Sequence, residues 1–150
     1  MTVLQRHILY IEDHEDTREL VSLLLEESNY RVTTACSVKD ALNLAREGGF
    51  DLYIIDSWLP DGTGIEFCQK LREFDCETPI MFLSAAAYET DIQAAMDNGA
   101  QRYLVKPADL QLLSNEVSAL ICSSNKYDQA GELTCCKLGP GSTQPQSSSS

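Results

Sequence analysis

Five short apolar runs, separated by stretches with helical spacing, restrict this chain to very few folds. They are Ile8-Leu9-Tyr10-Ile11, a run near Tyr30-Arg31-Val32-Thr33, Leu52-Tyr53-Ile54-Ile55, Ile80-Met81-Phe82-Leu83 and Tyr103-Leu104-Val105. Continuous apolar character over so few residues suits strands buried on both faces, as in a parallel sheet. The intervening stretches repeat apolar residues at helical spacing. Val21, Leu20, Leu23 and Leu24 fall on one broad face within 16–28. Ser37, with Asp40 three residues on, resembles a capping box that opens a helix carrying Ala41, Leu42, Leu44 and Ala45, closed by Gly48-Gly49. Further helical spacing covers 64–74 (Ile65, Cys68, Leu71), 88–98 (Ile92, Ala95, Met96) and 109–122 (Leu110, Leu113, Val117, Leu120, Ile121). Strand and helix therefore alternate five times. That order predicts an α/β fold with a doubly wound five-stranded parallel sheet and helices on both faces.

The residues that end these runs carry the chemistry. Glu12-Asp13 follow the first run, Asp56 the third, Ser84 the fourth and Lys106-Pro107 the fifth. The second run ends in no such residue. Ligands of open α/β sheets bind outside the carboxyl ends of the strands. The fold thus gathers three acids, a hydroxyl and an ammonium at one edge. Each residue alone has a plainer reading: helix-start acids for Glu12 and Asp13, a loop acid for Asp56, a cap for Ser84, a surface turn for Lys106-Pro107. Their joint placement after four strands is what points to a site. Crowded carboxylates call for a cation, and Mg²⁺ takes one or two of them while keeping water and phosphate oxygens as its other ligands. A carboxylate can itself be the nucleophile and form an aspartyl phosphate. Lys106 and Mg²⁺ would neutralise the phosphoryl oxygens, and Ser84 would donate to one of them.

Composition sets limits on partners and location. The chain has 150 residues, 43% of them hydrophobic, enough for one domain with a core. Its net charge of −12 lies wholly in residues 1–122, because the last 28 residues hold two Lys and two acids. Such a domain repels nucleic acid and anionic membranes and suits divalent cations and basic protein surfaces. No apolar run approaches ~18 residues, and the start lacks a signal-peptide core. The expectation is a soluble cytoplasmic protein without membrane insertion. Cys36, Cys68, Cys76 and Cys122 read as reduced, small apolar residues, and Cys135-Cys136 as part of an unstructured tail. Residues 1–5 read as an extension and 6–122 as the domain. Residues 123–150, with Gly-Pro-Gly-Ser and four terminal Ser, read as a disordered Gly/Pro/Ser/Gln-rich tail. Tyr10, Tyr30 and Tyr53 read as core or sheet residues, His7 and His14 as structural or solvated, and Asp61-Gly62 as turn chemistry.

With these residues in place, the chain resembles a response-regulator receiver domain of two-component signalling, across roughly 6–122. The motifs that carry the resemblance are Ile11-Glu12-Asp13, Asp56-Ser57-Trp58-Leu59-Pro60-Asp61-Gly62-Thr63-Gly64, Leu83-Ser84-Ala85, Asn98-Gly99-Ala100 and Tyr103-Leu104-Val105-Lys106-Pro107. The resemblance implies a flavodoxin-like three-layer sandwich with strand order 2-1-3-4-5. It implies that Asp56 accepts a phosphoryl group from a histidine kinase or phosphotransfer protein. It further implies that Glu12 (through water), Asp13, Asp56 and the backbone carbonyl of Trp58 arrange Mg²⁺, and that Ser84 and Lys106 contact the phosphoryl oxygens. Tyr103 matches the switch aromatic, and Lys106-Pro107 the cis peptide. The implied protein is a stand-alone phosphoacceptor switch rather than a turnover enzyme. Its output would run by protein contact through the face at 88–122, with phosphorylation-dependent dimerisation left open.

Two positions limit the transfer. Trp58 is bulky, two residues after the acceptor, and is expected to slow hydrolysis of the acyl phosphate. Ala86, two residues after Ser84, leaves no polar side chain on the other flank. The rival readings are a receiver-fold binding module that works without phosphorylation and an aspartyl-phosphate phosphatase. The latter commonly needs an acid where Trp58 stands.

Overall fold

The computed structural model describes residues 5–123. Five parallel strands form one sheet: β1 (His7–Ile11), β2 (Arg31–Ala35), β3 (Leu52–Ile55), β6 (Ile80–Ser84) and β7 (Arg102–Val105). Their order is β2-β1-β3-β6-β7, which is 2-1-3-4-5 when only strands of this sheet are counted. The register pairs Ile8 with both Val32 and Leu52, and Phe82 with Tyr103. The helices are α1 (Glu15–Glu27), α2 (Val38–Glu47), α3 (Gly64–Leu71), α4 (Glu89–Asp97) and α5 (Leu113–Ser123). This is the expected three-layer α/β sandwich.

Alternation along each strand splits the core into two layers. Leu9, Ile11, Tyr53, Ile55 and Phe82 face α2 and α3, whereas Ile8, Tyr10, Leu52, Ile54, Met81 and Leu83 face α1 and α5. The central strands β1, β3 and β6 are buried almost throughout, which is why their sequences read as unbroken apolar runs. β2 is an edge strand with mostly half-exposed residues, so its run is the least apolar.

Several local expectations need correction. In α1 only Val21 and Leu25 are fully buried, while Leu20 and Leu23 are exposed at 48% and 56%. The sheet covers a stripe narrower than the apolar arc of the helix. The expected helix at 109–122 begins later, because Leu110–Leu112 form a 3-10 turn before α5. Residues 58–63 hold a small antiparallel hairpin of β4 (Trp58–Leu59) and β5 (Gly62–Thr63), too short for a strand pattern to reveal. Of the four cysteines expected to be reduced, Cys36, Cys68 and Cys122 are free, but Cys76 is disulfide-bonded. The expected tail from 124 onward, Cys135-Cys136 included, lies outside the described residues. Among the described residues no helix is long and apolar enough to cross a membrane.

Candidate functional site

The carboxyl ends of β1, β3, β6 and β7 meet at one edge and bring the strand-end residues together. Glu12 leaves β1 almost fully buried, with 1% exposure. Asp13 is exposed and Asp56 half-buried. One carboxylate oxygen from each of the three lies within 4.8 Å of the other two. Lys106, just past β7, bridges this cluster: its Nζ stands 2.6 Å from Glu12 Oε1 and 3.3 Å from Asp56 Oδ2. One cation thus serves two of three carboxylates, and the cluster keeps a net negative charge. Such a donor set, hard oxygens around residual charge, fits a divalent cation.

Glu12 is held by more than its ion pair. Tyr10 OH donates to Glu12 Oε1 at 3.1 Å, and the His14 backbone N–H donates to Oε2 at 3.2 Å. Arg18 donates to the Glu12 carbonyl at 3.0 Å. Burial pushes the Tyr10 phenol well above its ordinary range, with the adjacent Glu12 charge adding to the effect. Tyr10 therefore stays a protonated donor aimed at Glu12. The sequence signal was available, because residues two apart on a strand share a face. The core reading of Tyr10 was correct but incomplete. His14 is the N-cap of α1, its ring Nδ1 accepting from the Thr17 backbone N–H, which agrees with a structural role.

The loop after Asp56 is shaped by two further contacts. The Ser57 backbone N–H donates to Asp56 Oδ1 at 2.7 Å, orienting the carboxylate. Gly64, the first residue of α3, lies so close to this loop that a Cβ there would meet the Asp56 carbonyl at 2.6 Å and the Phe82 ring at 2.6 Å. Only glycine lets α3 start against the Asp56 backbone. Thr63 and Glu66 form a reciprocal capping box at that start, a pairing present in the sequence and overlooked there. Asp61 does more than turn the chain. Its carboxylate accepts from the Val38 and Lys39 backbone N–H groups at 2.8 and 3.0 Å, tying the loop to the start of α2. The Val38 hydrogen bond, with that of Lys39, holds the Asp61 carboxyl below its ordinary range.

On the other flank, Ser84 is buried and its Oγ accepts from the Ala86 backbone N–H at 3.1 Å. The Ser84 carbonyl accepts from Lys106 N at 2.9 Å, fixing the Lys106 backbone beside β6. The Lys106-Pro107 peptide is cis. Tyr103 lies half-buried and stacked on Phe82, with ring centroids 5.5 Å apart and planes 6° from parallel. Its hydroxyl donates to the Ala86 carbonyl at 2.6 Å. Ala86 thus contributes through its backbone, not its side chain. Trp58 is 66% exposed and, with Ala85, Ala86, Ala87, Tyr88 and Asp91, lines a groove next to the cluster. Glu12, Asp13, Asp56, Ser84 and Lys106 are therefore all at one edge, with Tyr103 and Trp58 on its rim.

Comparison with known proteins agrees with this architecture. The chain matches the family described as response regulator receiver domain over residues 8–118. It is 34% identical over 126 residues to a Bacillus subtilis protein named uncharacterized transcriptional regulatory protein YkoG, covering 83% of this chain and 55% of that one. It is 35% identical over 114 residues to the Streptomyces coelicolor transcriptional regulatory protein AfsQ1, covering 76% of this chain and 50% of that one. The chain spans about half the length of these curated relatives. A crystal structure of a two-component response regulator from Clostridium difficile superposes with a TM-score of 0.75 at 27% identity, covering 79% of this chain and 98% of that one. By sequence, sheet order and site geometry together, this chain belongs to the response regulator receiver domain family.

Proposed function

We propose that this protein is a phosphorylation-dependent switch in which Asp56 accepts a phosphoryl group from a histidine kinase or phosphotransfer protein. The observation that carries the reading is Lys106 Nζ bridging Glu12 and Asp56 inside a cluster of three carboxylates at the strand ends. An Asp56 carboxylate oxygen attacks phosphorus, the bond to the donor nitrogen breaks, and the departing imidazole takes up a proton. The product is an acyl phosphate on Asp56. Lys106 is placed to follow the charge from the carboxylate to the phosphoryl oxygens. Ser84 Oγ accepts from Ala86 N, which leaves its own O–H to donate to a phosphoryl oxygen. Glu12, Asp13, Asp56 and the Trp58 carbonyl would hold Mg²⁺, which supplies neutralisation of the charge that builds on those oxygens. Glu12 is already clamped by Tyr10 and Lys106, so it is suited to act through water rather than as a direct ligand.

The phosphoryl group would shift a two-state equilibrium by binding Ser84 and Lys106 better in one state, with Tyr103 following. Output then runs by protein contact through α4, β7 and α5, to a separate target, a second copy or a further domain. A domain carrying net charge of −12 is poorly suited to bind nucleic acid itself. The relatives' names concern transcription, and such a role for this chain would come through a partner surface. The reading assigns the protein to the cytoplasm and makes it a phosphoacceptor rather than a turnover enzyme. Trp58, exposed two residues after Asp56, is the bulky side chain that in this reading shields the acyl phosphate from water and slows its hydrolysis.

The test is incubation with Mg²⁺ and acetyl phosphate, read by intact mass. The wild type gains one phosphoryl group, and neither Asp56→Ala nor protein in chelator does. No gain in the wild type, or gain that survives Asp56→Ala, overturns the reading and favours a binding module that works without phosphorylation.

A further inference from the structure

Ser57 is joined to Tyr103 across the carboxyl edge. Its Oγ lies 3.2 Å from Tyr103 OH. The phenol has a single proton, and that proton goes to the Ala86 carbonyl at 2.6 Å. Ser57 must therefore be the donor and the phenol oxygen the acceptor. Ser57 also donates its backbone N–H to Asp56 Oδ1, and Ala86 donates its own to Ser84 Oγ. A continuous line of hydrogen bonds results: Asp56, Ser57, Tyr103, Ala86, Ser84. Its two ends are the proposed phosphoacceptor and the proposed hydroxyl sensor. The half-buried phenol is stacked on Phe82, so its hydroxyl has both a donor and an acceptor waiting at the inward position.

We propose that Ser57 is a positioning residue for the switch, its hydroxyl holding Tyr103 inward and linking that ring to the acceptor's own neighbour in the chain. An aliphatic side chain at this position would leave the phenol oxygen with no donor from the Asp56 side. The inference rests on the reading of Asp56 as phosphoacceptor and Tyr103 as the moving ring. It adds a second route between them, independent of the Ser84 side.

The experiment places 3-fluorotyrosine at position 103 of the full chain and records fluorine NMR spectra. Wild type, Ser57→Ala and Ser57→Thr are compared without ligand, then with Mg²⁺ and beryllofluoride as a phosphoryl mimic. One neutral hydrogen bond corresponds to about a 2- to 10-fold change in the inward-to-outward ratio. Ser57→Ala is expected to move the ratio outward by that factor, and Ser57→Thr to restore it. An unchanged ratio in Ser57→Ala overturns the proposal. A wild type that ignores beryllofluoride overturns the phosphoacceptor reading instead, and the ligand-free comparison still decides the role of Ser57. A double-mutant cycle on the rate of phosphorylation by acetyl phosphate provides a label-free second measurement. Ser57→Ala should change the rate in the wild type and leave it unchanged in a Tyr103→Phe background. An equal effect in both backgrounds means Ser57 acts without Tyr103 and overturns the link.

Discussion

Two polar clusters sit in this domain, and they are built on opposite principles. One is the carboxyl-edge site of Glu12, Asp13, Asp56 and Lys106. The other is centred on Arg72, beyond the end of α3. There, Arg72 donates to the carbonyls of Asp75, Thr78 and Gly99 at 2.8–2.9 Å. The Asp75 carboxylate accepts from the Glu77 and Thr78 backbones, from the Thr78 hydroxyl and from Tyr53 OH. Every group in that cluster answers another group of the chain. Burial, the largest influence, lowers the Arg72 guanidinium from its ordinary range and raises the Tyr53 phenol above its own. The carboxyl-edge site instead leaves acids in excess of its one ammonium. A cluster that closes on itself serves stability, whereas one that leaves charge over is prepared for a ligand.

That contrast can be broken by substitution. Lys106→Met removes the ammonium that pairs with Glu12 and Asp56, and phosphorylation by acetyl phosphate should slow by roughly 100-fold, the order expected for losing one preorganised charge donor. The same variant should depend more steeply on Mg²⁺ for its thermal stability, because Glu12 has lost its ammonium. A rate within a few-fold of wild type would remove Lys106 from the chemistry. Arg72→Ala should do the reverse. Chemical denaturation should show a loss of roughly 3 kcal/mol, since the carbonyls of Asp75, Thr78 and Gly99 lose their shared donor, while the folded fraction still phosphorylates at close to the wild-type rate. A large rate defect in folded Arg72→Ala would show the two clusters to be coupled. Asp61→Ala lies between the two, an acid near the site whose bonds are structural. It removes the hydrogen bonds to Val38 and Lys39 and should cost about 1 kcal/mol, as for loss of a helix cap, with little change in Mg²⁺ affinity. Because its carboxyl is held below the ordinary range, this contribution is present above the unfolded pKa and is lost as pH falls through the folded one. Denaturation of wild type and Asp61→Ala should therefore converge in strongly acidic buffer.

The two clusters also differed in how readable they were. Asp56 and Lys106 could be read because a parallel sheet fixes where strand ends go, so apolar runs followed by polar residues locate a site without any distance. The cap at Ser37 and the turn at Gly48 are local signals and gave α2 within its observed bounds. The Arg72 cluster was illegible, because its carbonyl partners lie in two separate loops, 72–79 and 98–101, and nothing local marks them. The exposure of Leu20 and Leu23 was equally hidden, since periodicity gives an apolar arc but not how much of it the neighbouring layer covers. Asp61 was read as a turn former because its bonds to α2 span more than 20 residues of chain. Tyr10 and Ser57 were visible as core and loop residues, and only the placement of β1 and β7 showed what their hydroxyls reach.

The measurement that bears most directly on the proposed switch is the position at which a phosphoryl group is added. Protein treated with Mg²⁺ and acetyl phosphate is reduced with borohydride, which converts an aspartyl phosphate to homoserine, and the peptides are then sequenced by mass. The account predicts homoserine in place of Asp56 and unreduced acids at positions 12, 13 and 61. An intact Asp56, or phosphate that resists borohydride because it sits on Ser57 or Ser84, would contradict it.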